Sequence, residues 1–142
     1  MSILPKKTVI IAVLANVFIL FWAYMFGTSL YAGQCYKDGV TPEKRLEICT
    51  RSLSLNGVFL TDWQQASNSF AQAVALADLG EASRSVTMFS ASWDQAKPFL
   101  RGKDQKEKVQ HFLRDMTYRL TLTPAAKSAL STVLKSCTTP SG

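Results

Sequence analysis

No Asp, Glu, Lys or Arg occurs between Lys7 and Lys37, a gap of 29 residues. Within it, residues 8–32 read TVIIAVLANVFILFWAYMFGTSLYA. At a helical rise of about 1.5 Å per residue, roughly 20 apolar residues cross a hydrocarbon core ~30 Å thick. The stretch is long enough to span a bilayer with some tilt. A cleaved leader is the competing reading: Lys6 and Lys7 supply a basic start, and Tyr31-Ala32-Gly33 a tolerable small-residue exit. The apolar run from Val9 to Phe26 is longer than a leader core and has Asn16 as its only polar residue. A retained transmembrane anchor is therefore expected.

Lys6 and Lys7 lie directly before the span, so the positive-inside rule puts residues 1–7 in the cytoplasm, residues 8–32 in the membrane and the rest outside. In a Gram-negative bacterium this is a single-pass inner-membrane protein with a periplasmic domain. Trp22, Tyr24 and Tyr31 lie toward the outer end, where amphipathic rings favour the headgroup layer. Ala23 and Gly27 form a small-xxx-small pair that lets a second helix approach closely, and Asn16 offers a hydrogen bond across such an interface. These three are the candidate helix-docking residues.

Beyond the span, apolar residues recur at spacings of three and four, the helical period, and no alternating strand run appears. Thr41-Pro42-Glu43 is a helix start, followed by a stripe of Leu46, Cys49 and Leu53. Trp63, Phe70, Ala73, Val74 and Ala77 make a second stripe, closed by Gly80. Ala82, Val86, Phe89, Trp93 and Ala96 make a third, stopped by Pro98; Val109, Phe112, Leu113, Met116 and Leu120 make a fourth. Thr123-Pro124 repeats the start signal ahead of Ala126, Leu130, Val133 and Leu134. The fold class is all-α: one transmembrane helix, then about five helices over residues 33–136, then a tail of residues 137–142. The second and third stripes, and the fourth and fifth, are joined by connections short enough to force antiparallel hairpins. Leu46, Val86 and Ala126 stand 40 residues apart, as do Cys49, Phe89 and Ala129, and Leu53, Trp93 and Val133. That register points to a stacked helical repeat.

Three segments carry a resemblance to bacterial exported tetratricopeptide-repeat (TPR) proteins: Cys35-Tyr36-Lys37-Asp38, Glu47-Ile48-Cys49-Thr50-Arg51, and Ala75-Leu76-Ala77-Asp78-Leu79-Gly80-Glu81. In the best-matching repeat, Ala73 and Leu76 fall at packing positions of the first helix, and Ser85, Phe89 and Ser92 at those of the second. Ser85 and Ser92 stand where the family usually has Ala, and the family period is shorter than 40. The resemblance covers about half the chain. It implies a TPR-like domain that scaffolds or binds other polypeptides and does no chemistry.

Cys35, Cys49 and Cys137 all fall outside the membrane, in a compartment that permits oxidation. Three single-bridge pairings are open. Cys35–Cys49 is preferred because it closes a short loop and pins the first outer helix to the membrane exit; closing about 15 residues stabilises by ~3 kcal/mol on the chain-entropy argument. Cys137 is then unpaired or available to another subunit. His111, the one histidine, has Glu107 and Asp115 at helical spacing but no nucleophile motif beside it, and reads as an exposed helix residue among solvated charges. One histidine and three cysteines leave little for a metal site. No metal, no cofactor and no catalytic residue is expected.

Charge is 18% of the chain against 47% apolar residues, with a net of +6. The excess is local: Lys97, Arg101, Lys103, Lys106, Lys108, Arg114 and Arg119 face only Asp104, Glu107 and Asp115 over residues 97–119. Such a basic docking patch suits anionic lipid or an acidic protein face; nucleic acid is excluded by the compartment. The expected function is a non-catalytic accessory subunit of an integral membrane complex, respiratory or photosynthetic complexes being the class of host that carries such subunits. The alternative is a membrane-tethered TPR-like adaptor that captures a peptide or protein segment.

Overall fold

A computed structural model of the chain describes residues 5–56 and 60–138. Lys6–Cys35 form one uninterrupted helix, α1. It is the one helix among the described residues that is long and apolar enough to cross a membrane. It runs three residues past the expected end at Ala32, because Gly33 alone does not stop a helix and the next turn chemistry comes only at Lys37–Gly39, where Gly39 adopts φ 78°. The packed helical domain therefore begins inside the last turn of α1, where Cys35 is already buried.

Five helices follow: α2 (Pro42–Asn56), α3 (Asp62–Asp78), α4 (Ala82–Ala96), α5 (Gln105–Thr117) and α6 (Pro124–Thr138), with a 3-10 turn at Lys97–Phe99. Their starts are chemically marked. Thr61 and Gln64 form a reciprocal capping box at α3, the Asp104 carboxylate accepts from the Glu107 N–H at 2.8 Å, and Thr123 Oγ1 accepts from the Ala126 N–H at 3.2 Å. The expected tail begins later than residue 137: α6 continues through Thr138, so Cys137 is a helical residue, and residues 139–142 lie outside the described part.

α3 is the centre of the domain. Ala66 and every residue from Asn68 to Ala77 are buried, so beyond its exposed first turn this helix is packed all round. Its apolar stripe is completed by polar residues bonded to neighbours: Asn68 Nδ2 donates to Ser52 Oγ at 2.7 Å and Gln72 Nε2 to Thr50 Oγ1 at 2.9 Å, both on α2. On the other side, Ser85 Oγ donates to the Ala73 carbonyl at 2.8 Å and Ser92 Oγ to the Ala66 carbonyl at 2.7 Å. These two bonds run in antiparallel register, seven residues up one helix for seven down the other. The serines that stand where the TPR resemblance favours alanine are thus fully buried donors that lock α4 onto α3.

Aromatic rings fill the space left by the small residues of α3. Phe70 meets Phe89 at 5.0 Å and Phe112 at 5.7 Å between centroids, and Trp93 meets Phe112 at 5.2 Å, all edge-on. Edge-on rings add about 0.5–1.5 kcal/mol per pair beyond their buried area. α6 closes the domain against α4 and α3 through Ala126, Ala129, Leu130 and Val133. α5 and α6 are antiparallel, as their short connection requires, but splayed: the start of α5 reaches the end of α6 through one bond, Gln105 Nε2 to the Cys137 carbonyl at 3.0 Å.

α2 differs from its sequence reading. Leu46 and Leu53 are only half-buried, and the inward face is Arg45, Ile48, Cys49 and Ser52. The cause is the Cys35–Cys49 disulfide, Cα–Cα 5.0 Å, which turns Cys49 inward and carries Ser52 to Asn68. Arg45 is 6% exposed and holds the connection after α1, its Nη2 donating to the Lys37 carbonyl at 2.9 Å.

Tyr36, the first residue past α1, donates its hydroxyl to the Met116 carbonyl at 3.4 Å. Burial raises the phenol above its ordinary range, against a smaller lowering from a hydrogen bond with Ser67. Because the folded value lies above the unfolded one, the stability linked to Tyr36 is complete below pH ~10 and is lost as pH rises past it. Urea unfolding of Tyr36→Phe should accordingly show a shallower fall in stability above pH ~10 than the native protein. At neutral pH, Phe70→Ala should cost about 3–5 kcal/mol in the same assay, and Tyr118→Ala less than about 0.5 kcal/mol.

Candidate functional site

Helix α1 has two unlike faces. Asn16, Ala23 and Gly27 are seven and eleven residues apart, which on a helix of about 100° per residue puts all three within roughly 20° of one line. Val9, Val13, Leu20 and Leu30 continue that line at alternating spacings of four and three, the seam that lets two helices interlock. Leu14, Phe18, Phe21 and Met25 lie on the opposite side. Asn16 Nδ2 donates to the Ala12 carbonyl at 2.9 Å, one turn back on the same helix, which leaves its Oδ1 able to accept a further hydrogen bond. A Cβ added at Gly27 would meet nothing within 4 Å in the chain, so the missing side chain serves no internal contact. Of the expected interface anchors, Trp22 is 51% and Tyr24 43% exposed, and Trp22 packs edge-on against Phe18 at 6.0 Å. The Tyr31 side chain lies outside the described residues.

The seven basic residues do not form one patch. Lys97, Arg101, Lys103 and Lys106 are exposed and gathered between the end of α4 and the start of α5. Lys108 and Arg114 lie on the flank of α5, where Arg114 Nε donates to Asp115 Oδ1 at 3.0 Å. Arg119 is at the other end of α5, its guanidinium 6.0 Å from the centre of the exposed Tyr118 ring. A helix of 13 residues separates the two groups by about 18 Å, and a linear count of charge does not see that distance.

His111 is not the solvated residue its neighbours suggest. Its side chain is 14% exposed and stacks on Trp63, 6.3 Å between ring centres. Nδ1 accepts from the Arg101 N–H at 2.9 Å, so the ring proton sits on Nε2, which faces Asp115 Oδ2 at 3.1 Å. Trp63 also meets Phe99 edge-on at 6.5 Å. The imidazole therefore fastens residues 99–103 to α3 and α5. Gly102 completes the fastening: it adopts φ 151°, and a Cβ there would stand 2.7 Å from the Glu107 Cβ and 2.8 Å from the Lys108 nitrogen. Asp115 was visible in the sequence at helical spacing from His111, whereas Trp63 and Phe99 carried no site signal, since their partners are distant in the chain. An open cavity of about 340 Å³ lies over this cluster, lined by Trp63, Phe99, Arg101, His111, Arg114 and Asp115. Every polar atom of the imidazole is occupied, so it holds structure.

Two further features are present. A groove of about 610 Å³ runs between α2 and the end of α3, lined by Glu43, Leu46, Glu47, Thr50, Arg51, Ser54 and Leu79. Cys137 carries a free thiol whose ionisation burial pushes up, which leaves little thiolate at neutral pH. Among the described residues no three of His, Cys, Asp and Glu converge as a metal site would need.

The fold defines the class: an all-helical chain with one helix able to span a membrane and a disulfide-stapled helical domain at its end. Comparison with protein-family models, with curated proteins and with solved structures returns no match.

Gly102→Ala and His111→Ala should each loosen residues 99–104. The expected cost is about 1–3 kcal/mol, and trypsin cleavage at Arg101 or Lys103 should accelerate on the order of tenfold while the rest of the domain stays resistant.

Proposed function

We propose that this protein is a non-catalytic accessory subunit of a bacterial integral membrane complex. It docks through α1 and covers the outer face of its host with α2–α6. The observation that carries the reading is the seam of α1, where Asn16, Ala23 and Gly27 share one line and a side chain added at Gly27 would meet no other part of the chain. Association inside a bilayer comes from close packing and interhelical hydrogen bonds, since lipid tails are as apolar as leucine. A polar residue and two small ones on a single face are what such packing uses. A helix facing only lipid has no use for Asn16 there. The orientation follows from Lys6 and Lys7, with the N-terminus cytoplasmic and the domain periplasmic. A Cys35–Cys49 bridge suits that oxidising compartment.

A second reading is favoured by the groove beside α2. Leu46 and Leu79 give it an apolar floor, and Glu43, Glu47 and Arg51 a charged rim, the composition with which a TPR-like adaptor holds a short segment of a partner. The 40-residue register supports the repeat: Cys49, Phe89 and Ala129, one each on α2, α4 and α6, are all buried.

The test is gentle detergent extraction with a C-terminal tag, then native gel and mass spectrometry. A stoichiometric membrane complex that is retained by the native protein and lost by Ala23→Ile/Gly27→Ile is the expected result. A monomer with no membrane partner, or a complex untouched by that pair, overturns the subunit reading. Capture of a soluble partner lost on Leu46→Arg/Leu79→Arg would select the adaptor instead.

A further inference from the structure

The helices alternate in direction, so their ends sort into two layers, and the geometry of α1 determines which layer meets the bilayer. The connection after Cys35 climbs toward the start of α2, because the Lys37 carbonyl is held by Arg45. α1 thus approaches from the opposite side, where α2 ends. The bridge puts Cys49 beside Cys35, Cα–Cα 5.0 Å, and from Cys49 the remaining seven residues of α2 descend alongside α1 by about 10 Å. Twenty residues counted from Thr8 fill a hydrocarbon core of ~30 Å and end at Gly27, which leaves Cys35 about 12 Å above that plane. The lower end of α2 therefore comes within a few ångströms of the headgroups.

The same layer holds the start of α3, the end of α4, the start of α5 and the end of α6. The antiparallel bonds Ser85–Ala73 and Ser92–Ala66 set the last residue of α4, Ala96, level with the first of α3, Asp62. The Trp63–Phe99 contact holds the turn after α4 at that level, Cys137 near the end of α6 lies close enough to Asp94 and Lys97 to feel their charges, and the Gln105–Cys137 bond adds the start of α5. In the far layer, Thr123 Oγ1 bonds the Asp78 carboxylate and Tyr36 bonds Met116. Lys97, Arg101, Lys103 and Lys106 are thus on the membrane side, around Phe99, which is 48% exposed, while Tyr118 and Arg119 are on the far side. The acids of the near layer are Asp62, Asp94, Asp104 and Glu107. Asp62 and Glu107 lie in the first turn of a helix and Asp104 is a cap, where the positive end of the helix dipole partly offsets their charge.

We propose that residues 97–106 are a lipid-contact surface: Phe99 enters the headgroup layer of the leaflet from which α1 emerges, and Lys97, Arg101, Lys103 and Lys106 bind anionic phospholipid headgroups. This rests on α1 being a membrane span, though not on which side of the membrane the domain lies. An exposed aromatic ring among cations, held at headgroup height, is the arrangement an interfacial contact uses. The contact would hold the domain upright on its anchor and present α6 and the α2 groove sideways to a neighbour.

The test uses the full chain with Cys137→Ser in nanodiscs of phosphatidylcholine, with and without phosphatidylglycerol. Single nitroxide labels are placed at Leu14, Phe99, Lys106 and Thr121 through cysteine substitution. Their collision rates with oxygen and with a water-soluble nickel chelate give depth. With anionic lipid, the labels at 99 and 106 are expected at headgroup depth and that at 121 in water. Each cation removed should weaken the contact about fivefold. Lys97→Gln/Arg101→Gln/Lys103→Gln should therefore return the label at 106 to water, as should high salt. Labels at 99 and 106 as water-accessible as 121 overturn the proposal, and so does shielding from both relaxants, which would mean a protein face. A label at Leu14 outside the bilayer overturns the span itself, and so separates failure of the anchor from failure of the contact.

Discussion

The position of the helices after α1 depends on one junction, where the last residue of α1 meets the middle of α2. A covalent bridge there does more than shorten a loop. It sets the rotation of α2 about its own axis, so that Cys49 and Ser52 turn inward and Leu46 is left on a groove. It also sets the height of α2 against α1. α3 follows α2 through Asn68 and Gln72, and α4 follows α3 through two serine hydroxyls. The orientation of the domain relative to the span is inherited along that chain of contacts.

A domain with so small a core needs its polar groups satisfied. α3 is packed on all sides, and its Ala-rich sequence lets neighbours approach close enough for side-chain hydroxyls to reach main-chain carbonyls. The gaps this leaves are filled by Phe70, Phe89, Trp93 and Phe112 meeting edge-on. Tightness in the core and order at the surface meet at Trp63: one side of it closes the bottom of α3, and its ring face carries His111, which in turn fastens the loop beside Gly102.

Much of this was legible in the chain. The charge-free run, the Thr-Pro starts at residues 41 and 123, the stops at Gly80 and Pro98 and the 3–4 spacing of apolar residues identify helices from local chemistry alone. The preferred cysteine pair, one of three open pairings, is the one the structure contains: its partners are 14 residues apart and close a short loop. The role of His111 was not. Its flanking acids suggested solvent, while its ring is held by Trp63 from a helix 48 residues earlier and by an amide from a loop. The basic run likewise read as one patch because a sequence has no metric for the length of α5, which carries Arg119 away from Lys97.

What the chain determines by itself is therefore what one turn of backbone can enforce: an apolar helix of membrane length, five further helices with their caps, and a seam on α1 that follows from helical period alone. What only the tertiary structure decided is which faces are used up. Ser85, Ser92 and His111 became internal ties, the α2 stripe turned aside, and four of seven cations gathered between the end of α4 and the start of α5. Those outcomes depend on contacts between residues far apart in sequence, where each helix rotates to satisfy buried polar groups as well as to hide apolar ones.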